Sequence, residues 1–547
     1  MRILKRIAFV ILGLALLIIA LNYGVSYWIS KKLPTVIQNE KNFPYNFSYE
    51  NLDISLLNGS LSIDNASIAP KDSTETALQK GVFGKIKNIS ISNFSVWALL
   101  WDDKIKVRKV TITTPDIILY EREKKYNAEE DFVKPFKNTI MTESLEIQNG
   151  EFKMVNADLK FLMKANNVHF TLDDIKVDSA SVADNIPVRY TGYNLKCDSL
   201  YYKMNEFYNL YATNVSTTDT TFNAKNLRLV PEYSRVQYTR MLPEEKDLFT
   251  VTVKDINVPK AEWGYVNNIL YVHSPRVVLN QVSANIFRSK MPKDDPTIKK
   301  LYSRALRELE FDLKIDRLLV KNSLIEYEEQ VDFSKPAAKV SLSKFYATAA
   351  NLYSPVNKKT LPNTVIDVEC MFMRSTPLKL NWFWNTLDAS DSFTIKGDLG
   401  VMKSEDLNPV ATPLMNISTT GTMKDIKFIV NGNIQKATGE FAIKYEDLKV
   451  DIYKKDGKTK NKVMSAIGNL IVKNDSDDEL KKASLDVVRL KDKSVFNLLW
   501  RSLQDGLKKT LLPKVVTKLL PEDKAGKKQK EKDEKRKNRK KDRKKKD

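Results

Sequence analysis

Between residues 51 and 453 apolar and polar side chains repeatedly alternate with a period of two, and nothing else in the chain constrains its fold as strongly. Residues 51–68 read NLDISLLNGSLSIDNASI, 249–258 FTVTVKDINV, 425–434 DIKFIVNGNI and 439–453 GEFAIKYEDLKVDIY. Side chains of a strand point alternately to its two faces, so such stretches predict sheets with one apolar and one polar face. Helical periodicity is scarce. It is confined to 297–309, where Ile298, Leu301, Ala305 and Leu309 share a face, to 494–512, and to the short SVWALLW at 95–101.

An eight-residue pattern recurs within the strands: apolar, any, apolar, any, two turn-type residues, any, apolar. It begins at Val110 (VTITTPDI), Leu145 (LEIQNGEF), Leu270 (LYVHSPRV) and Leu318 (LLVKNSLI). Asn, Ser, Thr, Pro and Gly at its centre predict a tight turn followed by a returning strand. The irregular spacing of the copies argues against a propeller.

At 547 residues the chain exceeds what one hydrophobic core serves, so several domains or an elongated body are expected. Little in it suits catalysis. It has two histidines, His169 and His273, and two cysteines, Cys197 and Cys370, too few for a four-cysteine zinc site or a disulfide-dense scaffold. One bridge between the cysteines stays open beside two buried thiols. DGKT at 456–459 lacks the upstream glycine of a phosphate loop, and no Gly-x-Ser-x-Gly, HExxH or CxxC motif occurs. The acidic pairs Asp173-Asp174, Asp294-Asp295 and Asp477-Asp478 lie in loop-like surroundings and read as solvated surface. Trp97 and Trp101 read as packing, and NWFWN at 381–385 as core, as the cap of a groove or as a membrane contact. We therefore expect no enzyme, no cofactor and no metal site.

Residues 7–30 carry no charge, and as a helix they would reach roughly 36 Å, enough to cross a bilayer. Arg2, Lys5 and Arg6 precede the apolar run from Ile7 to Leu21, and Tyr27 and Trp28 stand at its far end. This is the layout of a single-pass anchor with a cytoplasmic N-terminus. A cleaved signal peptide is the competing reading, although no clear Ala-x-Ala site follows.

Two regions resemble the AsmA family. Near the N-terminus, NLDISLLNGSLSIDNASI and then FSVWALLW, DDKIKVRKVTI and TTPDIIL (94–119) resemble its unit of strand, short Leu-Leu segment, strand and Pro-containing turn. Near the C-terminus, ATGEFAIKYEDLKVDIY, SAIGNLIVKND and DKSVFNLLWRSLQDGLKKTLLP (437–513) are similar to the family's terminal portion. The resemblance implies a repeating β-groove protein of Gram-negative envelopes, anchored in the inner membrane with its body in the periplasm. It further implies a role in phospholipid transport or outer-membrane biogenesis and integrity, without chemistry.

Residues 524–547 carry fifteen Lys or Arg and five Asp or Glu, so 15 − 5 = +10 of the net +21 lies there. With almost nothing apolar to bury, this stretch is expected to be disordered. Its charge, including Lys544, Lys545 and Lys546, suits an anionic membrane surface. Upstream, Val495, Leu499, Leu503, Leu507 and Leu511 form the apolar stripe of an amphipathic helix, a candidate second membrane contact. Without interleaved aromatics the tail does not suit nucleic acid.

The expected fold is mainly β: a transmembrane helix, then an elongated, curled antiparallel sheet forming a groove, with a few short helices. The expected order is a cytoplasmic N-terminus at 1–6, the helix at 7–30, an N-terminal AsmA-like β region at 31–160 and a central β-groove at 161–400. A C-terminal β region at 401–493, the amphipathic helix at 494–520 and a basic tail at 521–547 follow. An apolar groove predicts phospholipid acyl chains as ligand. Closed β-sandwiches serving a structural or assembly role are the alternative.

Overall fold

The computed structural model describes residues 45–55, 59–70, 81–95, 104–120, 139–178, 186, 188–453 and 475–511, together with 526, 529, 531, 533 and 534. The expected anchor (Arg2, Lys5, Arg6, Ile7, Leu21, Tyr27, Trp28), residues 96–101, the DGKT turn and Lys544–Lys546 lie outside them. Among the described residues no helix is long and apolar enough to cross a membrane. The chain divides into two compact units, one of residues up to Val230 with Asn257–Asn268, the other of Pro231–Ile256 with residues from Ile269 onward. Each is mainly β, with a mixed sheet that is not closed.

The first unit holds β1 (Tyr45–Ser48), β2 (Asn51–Ser55), β3 (Ser60–Pro70), β4 (Val82–Ser92), β5 (Lys104–Tyr120), β6 (Thr139–Val155) and β7 (Phe161–Val177). β8 (Gly192–Lys203), β9 (Tyr208–Thr218) and β10 (Phe222–Pro231) continue it. Directly opposed residues share a face, so register identifies the core. Ile63, Ile89, Ile112, Ile147 and Phe170 are successive cross-strand partners from β3 to β7. All five are buried, and among its described residues this unit has no helix.

The second unit holds most of β11 (Asp247–Val258), then β13 (Ile269–Ser274), β14 (Val277–Ser289), β15 (Asp312–Gln330), β16 (Ala338–Tyr353), β17 (Thr364–Phe372) and β18 (Thr376–Trp384). β19 (Phe393–Leu399), β20 (Met402–Lys403), β21 (Ile417–Gly432), β22 (Lys436–Ile452) and β23 (Lys481–Val488) follow. β12 (Glu262–Val266) falls in the first unit. Among the described residues the α-helices over unbroken ranges, all in the second unit, are α1 (Arg235–Met241), α2 (Tyr302–Arg307), α3 (Asn408–Met415) and α4 (Val495–Leu511).

Three expectations change here. First, the sheets are not purely antiparallel: β5 and β6 run parallel, as do β13 and β14 with β15. Residues 121–138 and 290–311 supply the long connections that parallel pairing needs, and alternation looks the same in either arrangement. Second, the repeated pattern marks no hairpin. VTITTPDI, LEIQNGEF and LLVKNSLI each lie inside one strand of 17 to 19 residues, while LYVHSPRV bridges β13 and β14, which both run parallel to β15.

The fifth residue of each of those three copies, Thr114, Asn149 and Asn322, is left-handed (φ 49°, 54° and 50°). Gln281 holds the same place in VVLNQVSA, which pairs in register with LLVKNSLI. Asn65, Asn214, Asp425 and Asp447 repeat the device. Around it the buried residues stand three apart instead of two: Ile63 and Ala66, Ala212 and Val215, Met423 and Ile426, Tyr445 and Leu448. Two outward residues in succession are accommodated, and the strand bends there without ending. Asn and Asp tolerate this conformation, so a bulge carries the same residue signature as a turn.

Thr114 is β-branched and exposed at such a position, where its Cβ is costly. Thr114→Asn is expected to stabilise the first unit by about 1 kcal/mol, read as a higher melting temperature.

Third, the helix expected over 297–309 reduces to α2. Residues 297–301 are not helical, Leu301 is buried, and Ile298 is 48% exposed rather than sharing an apolar face with it. A six-residue helix without a side-chain N-cap owes its existence to its contacts.

The amphipathic helix expected at 494–520 is described over Val495–Leu511 as α4, and its apolar stripe covers the sheet. Val495 and Leu498 are buried, while Leu499, Leu503, Leu507 and Leu511 pack half-buried on the same core. Gly506 permits close approach, since a Cβ there would lie 2.4 Å from Cγ of Phe441 on β22. The stripe expected to meet a membrane is thus occupied by protein, because the apolar face of β21–β23 offers it burial. Of 521–547, residues 526, 529, 531, 533 and 534 are described and helical, with Asp533 accepting an ion pair from Lys491 at 2.7 Å.

Candidate functional site: an apolar face on β14–β16

Register carries the core face of the second unit outward from α4. Trp382 and Trp384 on β18 oppose Ile366 and Thr364 on β17 and Ile395 and Phe393 on β19, so the tryptophans face the core. Ile366 opposes Ala349 on β16, Ala349 opposes Leu318 on β15, and Leu318 pairs with Val277 on β14. Val320 continues the row with Ala347 and Leu279, and Ile325 with Leu342 and Ala284.

Burial changes along this face. Under α4 the side chains of Val430, Phe441 and Ile443 are at most 1% exposed. On β14–β16, Val277, Leu279, Leu318, Val320, Ile325 and Leu342 are only half-buried. The apolar segment from Leu318 to Ile325 runs roughly 20 Å along its strand.

Polar groups close both ends. At one, Arg288 on β14 makes a bidentate pair with Asp247 of β11 at 2.7 and 2.8 Å, and Tyr327 donates to Glu329 at 2.9 Å. Burial, with Glu329 beside it, pushes the Tyr327 phenol well above its usual range. Burial would lower the Arg288 guanidinium, but the hydrogen bonds and charge of Asp247 hold it up. At the other end Asp312 takes His273 at 3.0 Å and Lys358, and Tyr353 donates to Asp316 at 2.6 Å. Burial and Asp316 raise the Tyr353 phenol to about 12. Burial opposes ionisation of Asp312, yet hydrogen bonds from Lys358 and His273 leave it below the usual carboxylate range.

Each cation at these ends is matched by a carboxylate, so the face presents apolar surface between satisfied polar groups. Such a surface can hold hydrocarbon. Among the described residues no cluster of three or more His, Cys, Asp or Glu could hold a metal ion.

The acidic pairs are engaged separately. Asp173 accepts from Ser144 at 3.4 Å and Asp174 from Thr191 at 2.7 Å, while Lys493 takes Asp294 and Lys299 takes Asp295. Lys444 reaches Asp478 at 3.1 Å. Both cysteines are free and buried, their thiols raised to about 11 chiefly by burial. The sequence does not single out Arg288, Tyr327 or Asp312. Their signal is a polar residue at a core-parity position, visible only once the bulges set the parity.

No protein-family model matches the chain, and no curated protein matches it.

Proposed function

We propose that the protein is a membrane-anchored, non-enzymatic lipid-binding protein of the AsmA type. It holds phospholipid acyl chains on the core face of β14–β16 and contributes to phospholipid transport or outer-membrane biogenesis. On this reading residues 7–30 anchor it once in a bacterial inner membrane, its body lies in the periplasm, and the basic C-terminal stretch meets anionic lipid. One observation carries the reading: a row of apolar side chains is only half-buried on β14–β16, whereas the same face under α4 is sealed. Each acyl methylene placed there gains about 0.8 kcal/mol, and a smooth apolar lining holds a chain without charge.

The competing reading is a structural or assembly factor without a lipid path. It is favoured by the way α4 closes the face at β21–β23.

A photo-cross-linking side chain placed at Val320 or at Leu319 of the full chain in its native membrane separates the two. Lipid adducts, identified by mass spectrometry, are expected from Val320, on the core face, and not from its neighbour on the opposite face. Adducts from neither position leave the structural role.

A further inference from the structure

Beside the β14–β16 face, five aromatic side chains from four elements form a cup. Trp382 and Trp384, two apart on β18, lie with ring centroids 5.2 Å apart. Tyr302 of α2 sits 5.3 Å from Trp382 and 6.4 Å from Trp384, Phe393 of β19 is 6.2 Å from Trp382, and Phe496 of α4 is 6.2 Å from it. The outer rings are open to solvent, Tyr302 being 46% and Phe496 56% exposed, while Trp384 is 4% exposed.

The indole Nε1–H groups of both tryptophans are shielded from solvent, and no protein group accepts from either. Buried tryptophan N–H groups ordinarily find a partner. An unpaired buried donor costs about 1–3 kcal/mol. Two on neighbouring core-facing residues of one strand, beside rings that are partly exposed, form an unsatisfied pair of donors at the edge of an apolar surface.

We propose that this cup is the subsite for the carbonyl-bearing part of an acyl ester lipid, with Nε1 of Trp382 and Trp384 donating to ester carbonyl oxygens. The proposal rests on the lipid reading above and specifies which lipids satisfy it. The acyl chains lie along the apolar face. The ester linkage, the one polar group a diacyl lipid carries next to its chains, meets the two donors once Tyr302 and Phe496 swing aside. A neutral acceptor suits two neutral indole donors, whereas a purely hydrocarbon ligand leaves both donors unpaired.

The test is competition against a pyrene-labelled phosphatidylcholine bound to the full chain in mixed micelles. Three unlabelled competitors are used: ester-linked phosphatidylcholine, its ether-linked analogue with the same chains, and palmitate. The ester lipid is expected to compete about tenfold better than the ether lipid, and Trp382→Phe with Trp384→Phe to abolish that preference while both lipids still bind. Equal competition by ester and ether in the unaltered chain overturns the proposal while leaving the lipid reading intact. So does a preference that survives in the double variant. Palmitate competing better than the diester reassigns the acceptor to a carboxylate and also overturns it. Failure of the labelled lipid to bind at all removes the lipid reading itself. The ester-to-ether contrast is read on the unaltered chain, so a variant that misfolds does not rescue the idea.

Discussion

Arg307→Leu is expected to destabilise the second unit by about 3–5 kcal/mol. Arg307 ends α2 and donates through Nη1 to the carbonyls of Thr386 and Asp388 at 2.9 and 2.8 Å, and through Nη2 to Asp391 at 2.6 Å. The Asp391 side chain is 3% exposed, and its only other described side-chain partner is the Ser303 hydroxyl at 2.9 Å. Leucine leaves that carboxylate buried with one neutral hydrogen-bond donor and only the longer-range charges of Arg489 and Arg304, and strips the two carbonyls of theirs, a circumstance in which removing half of a buried pair is costly. Six residues without a cap cannot stand as a helix alone. The second consequence is therefore local: α2 detaches, Tyr302 leaves the aromatic cup, and Leu301 loses its place in the core. Denaturant unfolding of the full chain, followed by tryptophan fluorescence, reads the loss. Adding Asp391→Asn to Arg307→Leu should return part of it, since the uncompensated charge is then gone. A loss below about 1 kcal/mol would mean the pair is a surface contact in its energetics.

Period-two alternation made the strands at 51–68, 249–258, 425–434 and 439–453 legible, because side-chain direction in a strand follows from backbone geometry alone. Where each strand ends was less so. Asn149 and Asn322 occupy positions that predict a turn, and their left-handed backbone is indeed what a turn would use. A bulge spends the same conformation inside a continuing strand, and only the pairing partner distinguishes the two. Strand direction was hidden for a related reason: β5 beside β6 is parallel because residues 121–138 intervene, and alternation carries no record of that.

The apolar stripe of α4 was equally plain, and only its partner was misjudged. Val495, Leu499, Leu503, Leu507 and Leu511 announce an apolar face without saying whether lipid or protein receives it. Gly506 against Phe441 is the residue-level sign that a sheet lies beneath, and it acquires meaning only when the two are brought together. The half-buried face on β14–β16 was legible as apolar strands. How far it is covered depends on where the helices pack, α4 on β21–β23 and α3 against β16, which is a tertiary fact.

Val320→Asp is the substitution that bears most directly on the lipid reading, and it is expected to lower acyl-lipid affinity at least a hundredfold. Val320 is half-buried on the core face between Leu279 and Ala347. In the unliganded chain a carboxylate there keeps part of its hydration, so stability should fall by about 1–3 kcal/mol. With an acyl chain packed over the face, the same carboxylate is stripped of water and has no described cation beside it. Desolvating an unpaired charge costs several kcal/mol, and each 1.4 kcal/mol is a factor of ten in affinity. Leu319→Asp, one residue away on the opposite face, supplies the control, because it introduces the same charge without meeting the ligand. Lipid retained on the purified full chain, measured by mass spectrometry beside a melting curve, separates the outcomes. Loss at 320 with retention at 319, both chains folded, places the ligand on the core face. Equal retention in both variants would remove the apolar face from the function and leave β14–β16 with a structural task alone.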